Sequence, residues 1–224
     1  MDQRPLKVLL LSDVIVSFIY SPQVRYRFPD VDLIIGCGDL AYYYLEYVLS
    51  ILDIPCYFVK GNHDKIVEYS LEAQRTAPAG AINLHRKMVN HNGWLIAGIE
   101  GCLRYRPGPF QYTQSEMWQY VLQFVPGLFI NRLRYGRFLD LLITHSPPAG
   151  IHDMEDMPHQ GIKAFRWLLK VFRPAYHFHG HIHIYRPDLV MDTVFERTRV
   201  INAYSYREVV LNYNHLSKGQ QQPE

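Results

Sequence analysis

Five short apolar runs in this chain each stop on a polar side chain. VLLLSD ends on Asp13 and DLIIGCGD on Asp39; PCYFVKGNHD ends on Asn62, His63 and Asp64, LDLLITH on His145, and AYHFHGHIH on His181 and His183. Apolar runs without polar alternation fit strands buried on both faces, as in a sheet covered by helices. Helical patterns lie between them. Ala41 to Leu52 carries apolar residues at helical spacing and is ended by Pro55, and Gly161 to Phe172 places Phe165, Leu168, Leu169 and Phe172 on one face. Strand, helix, strand in this order predicts right-handed crossovers and mainly parallel pairing. Ligands of such sheets gather beyond the carboxyl ends of the strands, where all these polar residues fall.

Two stretches read differently. Ile82 to Gly101 flanks His91-Asn92-Gly93, a hairpin signal, and Thr198 to Tyr213 alternates as a second antiparallel element. Both predict a second sheet layer or antiparallel additions to the first. Arg104 to Arg137, rich in aromatics and arginine, reads as a loop and helix over one edge of the site, while Trp94, Trp118 and Trp167 read as packing residues. His177, His179, His181 and His183 alternate, but Gly180 interrupts the run. A glycine within a strand pattern marks a bend or a close approach. His177 and His179 are therefore expected in a strand, and His181 and His183 in the loop after it.

The 224 residues suit one domain spanning 1–224, with a frayed tail from about 215. A formal charge of +2 is too small to argue for nucleic acid or an anionic membrane, and aromatic and basic residues do not interleave as on a nucleic-acid platform. Cys37, Cys56 and Cys102 show no CxxC spacing and read as reduced thiols. With no signal peptide or membrane-length apolar segment, the expected location is the cytoplasm.

Taken singly, each polar element fits a turn or a helix cap. Together, in this order, they are specific. Asp13, Gly38-Asp39, GNHD at 61–64, His145 and GHIH at 180–183 make the chain resemble the calcineurin-like metallophosphoesterase superfamily. The resemblance implies an α/β fold, a four-layer α/β/β/α sandwich of two mixed β-sheets flanked by helices. It implies two metal ions, manganese or iron foremost, with zinc, nickel or magnesium compatible. Asp39 would bridge them, Asp13 and His183 would complete one site, and Asn62, His145 and His181 the other. His63 would stay off the metals as the catalytic residue acting on substrate. The implied reaction is hydrolysis of a phosphomonoester or phosphodiester, a small phosphate-ester substrate, by a metal-bridging hydroxide. Asp64 either orients His63 or closes a turn.

One position departs from the family pattern. Most members have Asp-x-His in the first motif, and this chain has Asp13-Val14-Ile15. Water fills the missing position, or Tyr42 does, because Gly38-Asp39-Leu40-Ala41-Tyr42 matches the GDxxY pattern of purple acid phosphatases. In the third alternative the site is lost and the chain is a catalytically inactive interaction module. Arg104, beside Arg106, is the candidate for gripping phosphate. Asp153 and His159 lie in a loop that can reach the site.

Overall fold

A computed structural model describes residues 5–69, 74–184 and 190–212. The expected tail from about 215 lies outside them. Two sheets carry the fold. The first runs Ser205–Leu211, Leu6–Ser12, Leu33–Gly36, Cys56–Phe58, Ala81–Asn83, parallel except for its first pair. The second runs Asp192–Phe195, Thr198–Asn202, Tyr176–His179, Leu141–Thr144, Trp94–Ile99, Lys87–His91, with a parallel centre and an antiparallel strand at each edge.

Side chains along a strand point alternately to opposite faces, and here both faces are covered. Val8, Leu10, Leu33 and Ile35 meet Ile96, Leu141, Ile143 and Phe178 between the sheets. Leu9, Leu11, Ile34 and Phe58 face the other way, against Tyr44, Leu45 and Val48 of the helix Tyr42–Leu52. On the far side, Leu95, Ala97, Ile99 and Leu142 pack under the helices Gln114–Tyr135 and Lys163–Phe172 through Met117, Val121, Phe165 and Leu168. The result is the four-layer sandwich. Apolar runs without alternation are the signature of strands that have no solvent face.

The hairpin forms as expected. His91 pairs with Trp94 across Asn92 and Gly93, whose φ angles of 49° and 93° suit the turn that matches strand twist. The helix Gln114–Tyr135 begins with a capping box between Thr113 and Glu116. Trp94 is a core residue, while Trp118 and Trp167 pack on each other at 5.3 Å over the helix layer. All three cysteines are buried free thiols. Among the described residues no helix is long and apolar enough to cross a membrane.

The stretch from Thr198 is not one antiparallel element. Thr198–Asn202 is nearly all buried and lies parallel to Tyr176–His179 in the second sheet. Ser205–Leu211 then joins the first sheet, antiparallel to Leu6–Ser12. The chain changes sheets at Ala203–Tyr204, because only its second half keeps one face for solvent.

His177 and His179 lie in the strand Tyr176–His179, fully buried. His177 Nε2 is 2.8 Å from Thr144 Oγ1, whose hydroxyl donates to the Ser146 carbonyl, so the ring donates through Nε2 as a neutral imidazole. Burial lowers its pKa to about 3. An unfolded chain takes up this proton near pH 6.5 and the folded one does not, so stability falls as pH drops from about 6.5 toward 3. Urea melts of the wild type and His177→Gln at pH 7 and 4.5 are expected to show the wild type losing about 2 kcal/mol more than the variant. Parallel losses would show that His177 is not the acid-labile group.

Candidate metal centre

The polar residues converge where the carboxyl ends of strands from both sheets meet. His145 follows Leu141–Thr144 and is fully buried. Its Nδ1 lies 2.8 Å from the Cys37 carbonyl, which can only accept, so Nδ1 carries a proton and, in the neutral ring, Nε2 a lone pair. His181 is the mirror case. Its Nε2 lies 2.8 Å from the Pro158 carbonyl, leaving the lone pair on Nδ1. These two lone-pair nitrogens face each other at 3.1 Å. Asn62 Oδ1 is 3.1 Å from His145 Nε2, and Asp39 Oδ2 is 3.3 Å from it.

Three donor atoms thus lie within 3.1–3.3 Å of a fourth, His145 Nε2. Neighbouring ligands around a cation at about 2.1 Å are separated by about 3.0–3.4 Å, so these residues fit a metal ion. Asp39, His145 and His181 form a group whose ligand atoms all lie within 4.8 Å of one another. Burial works against ionising Asp39, yet the His145 ring and the His63 N–H hold its pKa down to about 2. Burial also opposes charging His145, but the Asp39 carboxylate outweighs it and pushes the pKa up to about 9. Burial, reinforced by His145, lowers that of His181 to about 4.

Asp13 and His183 form a second, more open group. Asp13 Oδ1 is 3.5 Å from His183 Nε2, and the Asp13 carboxylate accepts the His181 N–H at 3.1 Å. Ile15, at the position of the missing histidine, is exposed. The backbone is bent to bring these groups in: Asp13, Asp39 and His181 have φ of 65°, 57° and 69°, a left-handed conformation that costs a residue with a Cβ. Gly61 and Gly180 are glycines for lack of space. A Cβ on Gly61 would strike the Asp39 carboxylate, and one on Gly180 the Ser12 hydroxyl.

His63 is exposed and its N–H donates to Asp39 Oδ1 at 2.7 Å. Asp64 takes the turn-closing role. Its Oδ2 accepts the N–H groups of Gly61 at 2.6 Å and Asp39 at 2.9 Å, stapling two ligand loops together. Burial lifts the Asp64 pKa to about 7. His159, on the 151–162 loop, lies with its ring tilted 5.2 Å from the His181 ring and Asp156 on its Nδ1 at 2.6 Å.

Two expected site residues are placed elsewhere. The Tyr42 hydroxyl lies 2.7 Å from the Lys65 carbonyl and 3.0 Å from that of Thr76, and burial raises its pKa far above that of a free phenol. In the structure Tyr42 is thus placed as a buried residue at the helix start with its hydroxyl committed to carbonyls. Arg104 is also turned away, toward Gln111 O at 3.3 Å and Glu116 Oε2 at 3.2 Å. Sequence reasoning missed Tyr105, whose hydroxyl accepts from Asn62 Nδ2 at 3.3 Å. It also missed the carbonyls of Cys37 and Pro158, which no residue type announces.

The sequence pattern of the calcineurin-like phosphoesterases matches residues 6–185. That is well over half of the chain, and the chain belongs to this family. One solved structure aligns over 94% of this chain and 100% of its own at 17% identity, with a TM-score of 0.64. TT1561 of Thermus thermophilus aligns over 93% of this chain and 99% of its own, at 13% identity and a TM-score of 0.58. GAP50, described as the anchor in the inner membrane complex of Plasmodium, aligns over 89% and 71%, at 12% identity and a TM-score of 0.51. At these identities the likenesses show the fold. No curated protein matches the sequence.

The Tyr42 geometry gives a direct expectation. Tyr42→Phe loses a buried hydrogen bond and about 1–2 kcal/mol of stability, with metal content unchanged by elemental analysis. Loss of bound metal in that variant would restore the phenol as a ligand.

Proposed function

We propose that this member of the calcineurin-like phosphoesterase family hydrolyses a small phosphate ester, monoester or diester, with cations held by the converging ligand loops. The facing lone pairs of His145 Nε2 and His181 Nδ1, 3.1 Å apart, carry the reading. Each ring is fixed in its tautomer by a backbone carbonyl, an outer partner typical of histidines that bind metal. The donors are two imidazoles, an amide oxygen and a carboxylate, with no thiolate, a set that suits manganese or iron and tolerates zinc or nickel.

Asp39, Asn62, His145 and His181 would hold the tighter ion. Asp13 and His183 would hold the second with Asp39, more weakly, since Ile15 contributes nothing. When bound, such ions polarise a phosphoryl group and acidify water.

The chain's own residues do the rest. The Asp39 carboxylate is placed both to serve as a ligand and to accept the His63 N–H. That bond anchors the His63 backbone at the rim of a cleft of about 470 Å³ lined also by Asp39, Asp64, Lys65 and Arg75. From there the exposed His63 ring can hydrogen-bond the phosphoryl group or protonate the leaving oxygen. Asp64 keeps the Asp39 and Asn62 loops in register by its two backbone bonds. Ile15 supports a second reading, an interaction module without turnover.

Protein loaded with manganese is expected to hydrolyse 4-nitrophenyl phosphate or its bis-aryl diester. His63→Ala should lose about 10²–10⁴-fold in kcat at unchanged metal content, whereas His145→Ala should lose the tighter ion itself. If fully loaded protein turns over neither ester, the interaction module stands and the enzyme does not.

A further inference from the structure

We infer that Arg106, carried on the ring of Tyr105, is the cation that grips the phosphate ester, and that Arg104 is not. This deepens the phosphoesterase reading and rests on it for the choice of ligand.

The two arginines sit two residues apart in one loop, and the structure gives them opposite fates. The loop is pinned by its backbone. Cys102 N donates to the Phe110 carbonyl at 3.0 Å and Arg104 N to the Tyr112 carbonyl at 2.9 Å. The buried Gln111 side chain accepts the N–H groups of Tyr105 at 3.4 Å and Arg106 at 3.3 Å. Arg104 leaves the site. Its guanidinium meets the Glu116 carboxylate at 3.2 Å, and Glu116 is itself committed to the capping box with Thr113. The charge of Arg104 is therefore spent on a helix start.

Arg106 is exposed, and its guanidinium lies 5.3 Å over the Tyr105 ring. Among the described residues no carboxylate pairs with it. Stacking on an aromatic face orients the guanidinium plane without consuming its N–H donors. The same tyrosine reaches into the metal centre: its hydroxyl accepts from Asn62 Nδ2 at 3.3 Å, while Asn62 Oδ1 is one of the four converging donors. One side chain thus connects a ligand to the resting place of an uncommitted cation. A guanidinium fork matches two oxygens of a phosphoryl group, and its charge does not depend on pH.

The test is calorimetric titration of inorganic phosphate into the manganese-loaded 224-residue protein, with steady-state kinetics on 4-nitrophenyl phosphate alongside. Arg106→Ala is expected to weaken phosphate binding at least tenfold and to raise KM more than it lowers kcat, with manganese content unchanged. Arg106→Lys should recover part of the affinity, and Arg104→Ala should stay within about threefold of the wild type. Phosphate affinity unchanged in Arg106→Ala, an equal loss in Arg104→Ala, or no phosphate binding by the wild type each overturns the assignment. Wild-type protein that binds phosphate through Arg106 yet hydrolyses no ester would sink the phosphoesterase reading and leave the arginine assignment standing. Turnover with an indifferent Arg106 would do the reverse.

Discussion

Two nitrogen lone pairs cannot face each other at 3.1 Å in a dry site unless positive charge lies between them. His145 Nε2 and His181 Nδ1 are held in that relation from behind, by the carbonyls of Cys37 and Pro158. A proton is one solution, and the Asp39 carboxylate supports it by pushing His145 up to about 9 in spite of burial. A proton, however, satisfies only the pair it joins. Asn62 Oδ1 and Asp39 Oδ2 also close on His145 Nε2, and a cation with several coordination positions satisfies all four donors together. The arrangement is that of a candidate metal site.

Building the site requires the chain to turn sharply as it leaves several strands. Asp13, Asp39 and His181 all take left-handed backbone conformations, each costing a residue with a Cβ about 1–2 kcal/mol. Three such residues at one locus are sustained because the strands behind them are held on both faces. The inter-sheet core fixes Leu10, Ile35 and Phe178, and the outer helices fix Leu11 and Leu142, so strand ends have little freedom to relax. Strain is concentrated where the polar donors converge, as expected when the surroundings over-determine a site. Asp64 adds a local tie by joining the Gly61 and Asp39 amides.

Much of this was legible because burial leaves a strong mark on sequence. Strands without a solvent face have no polar alternation, and Asn92-Gly93 has the two residues most tolerant of positive φ. What was illegible depended on partners distant in the chain. Thr198 to Leu211 looks continuous, yet only the sheet neighbours decide that it serves two sheets. Tyr42 stands at the position a family pattern reserves for a ligand, but the carbonyls of Lys65 and Thr76 take its hydroxyl. Arg104 and Arg106 are equivalent as letters. Glu116, fixed by the helix cap, tells them apart.

The two groups of ligands are also mechanically joined, which bears on what the missing histidine does. The Asp13 carboxylate, fully buried, accepts the backbone N–H of His181, while the His181 ring enters the other group. Asp13 therefore positions the His181 backbone without standing among the four donors. Ile15 offers no donor atom and leaves this anchor in place. Isoleucine at position 15 is then compatible with an intact Asp39–Asn62–His145–His181 group, because the Asp13 bond to the His181 N–H does not depend on the residue two positions after Asp13.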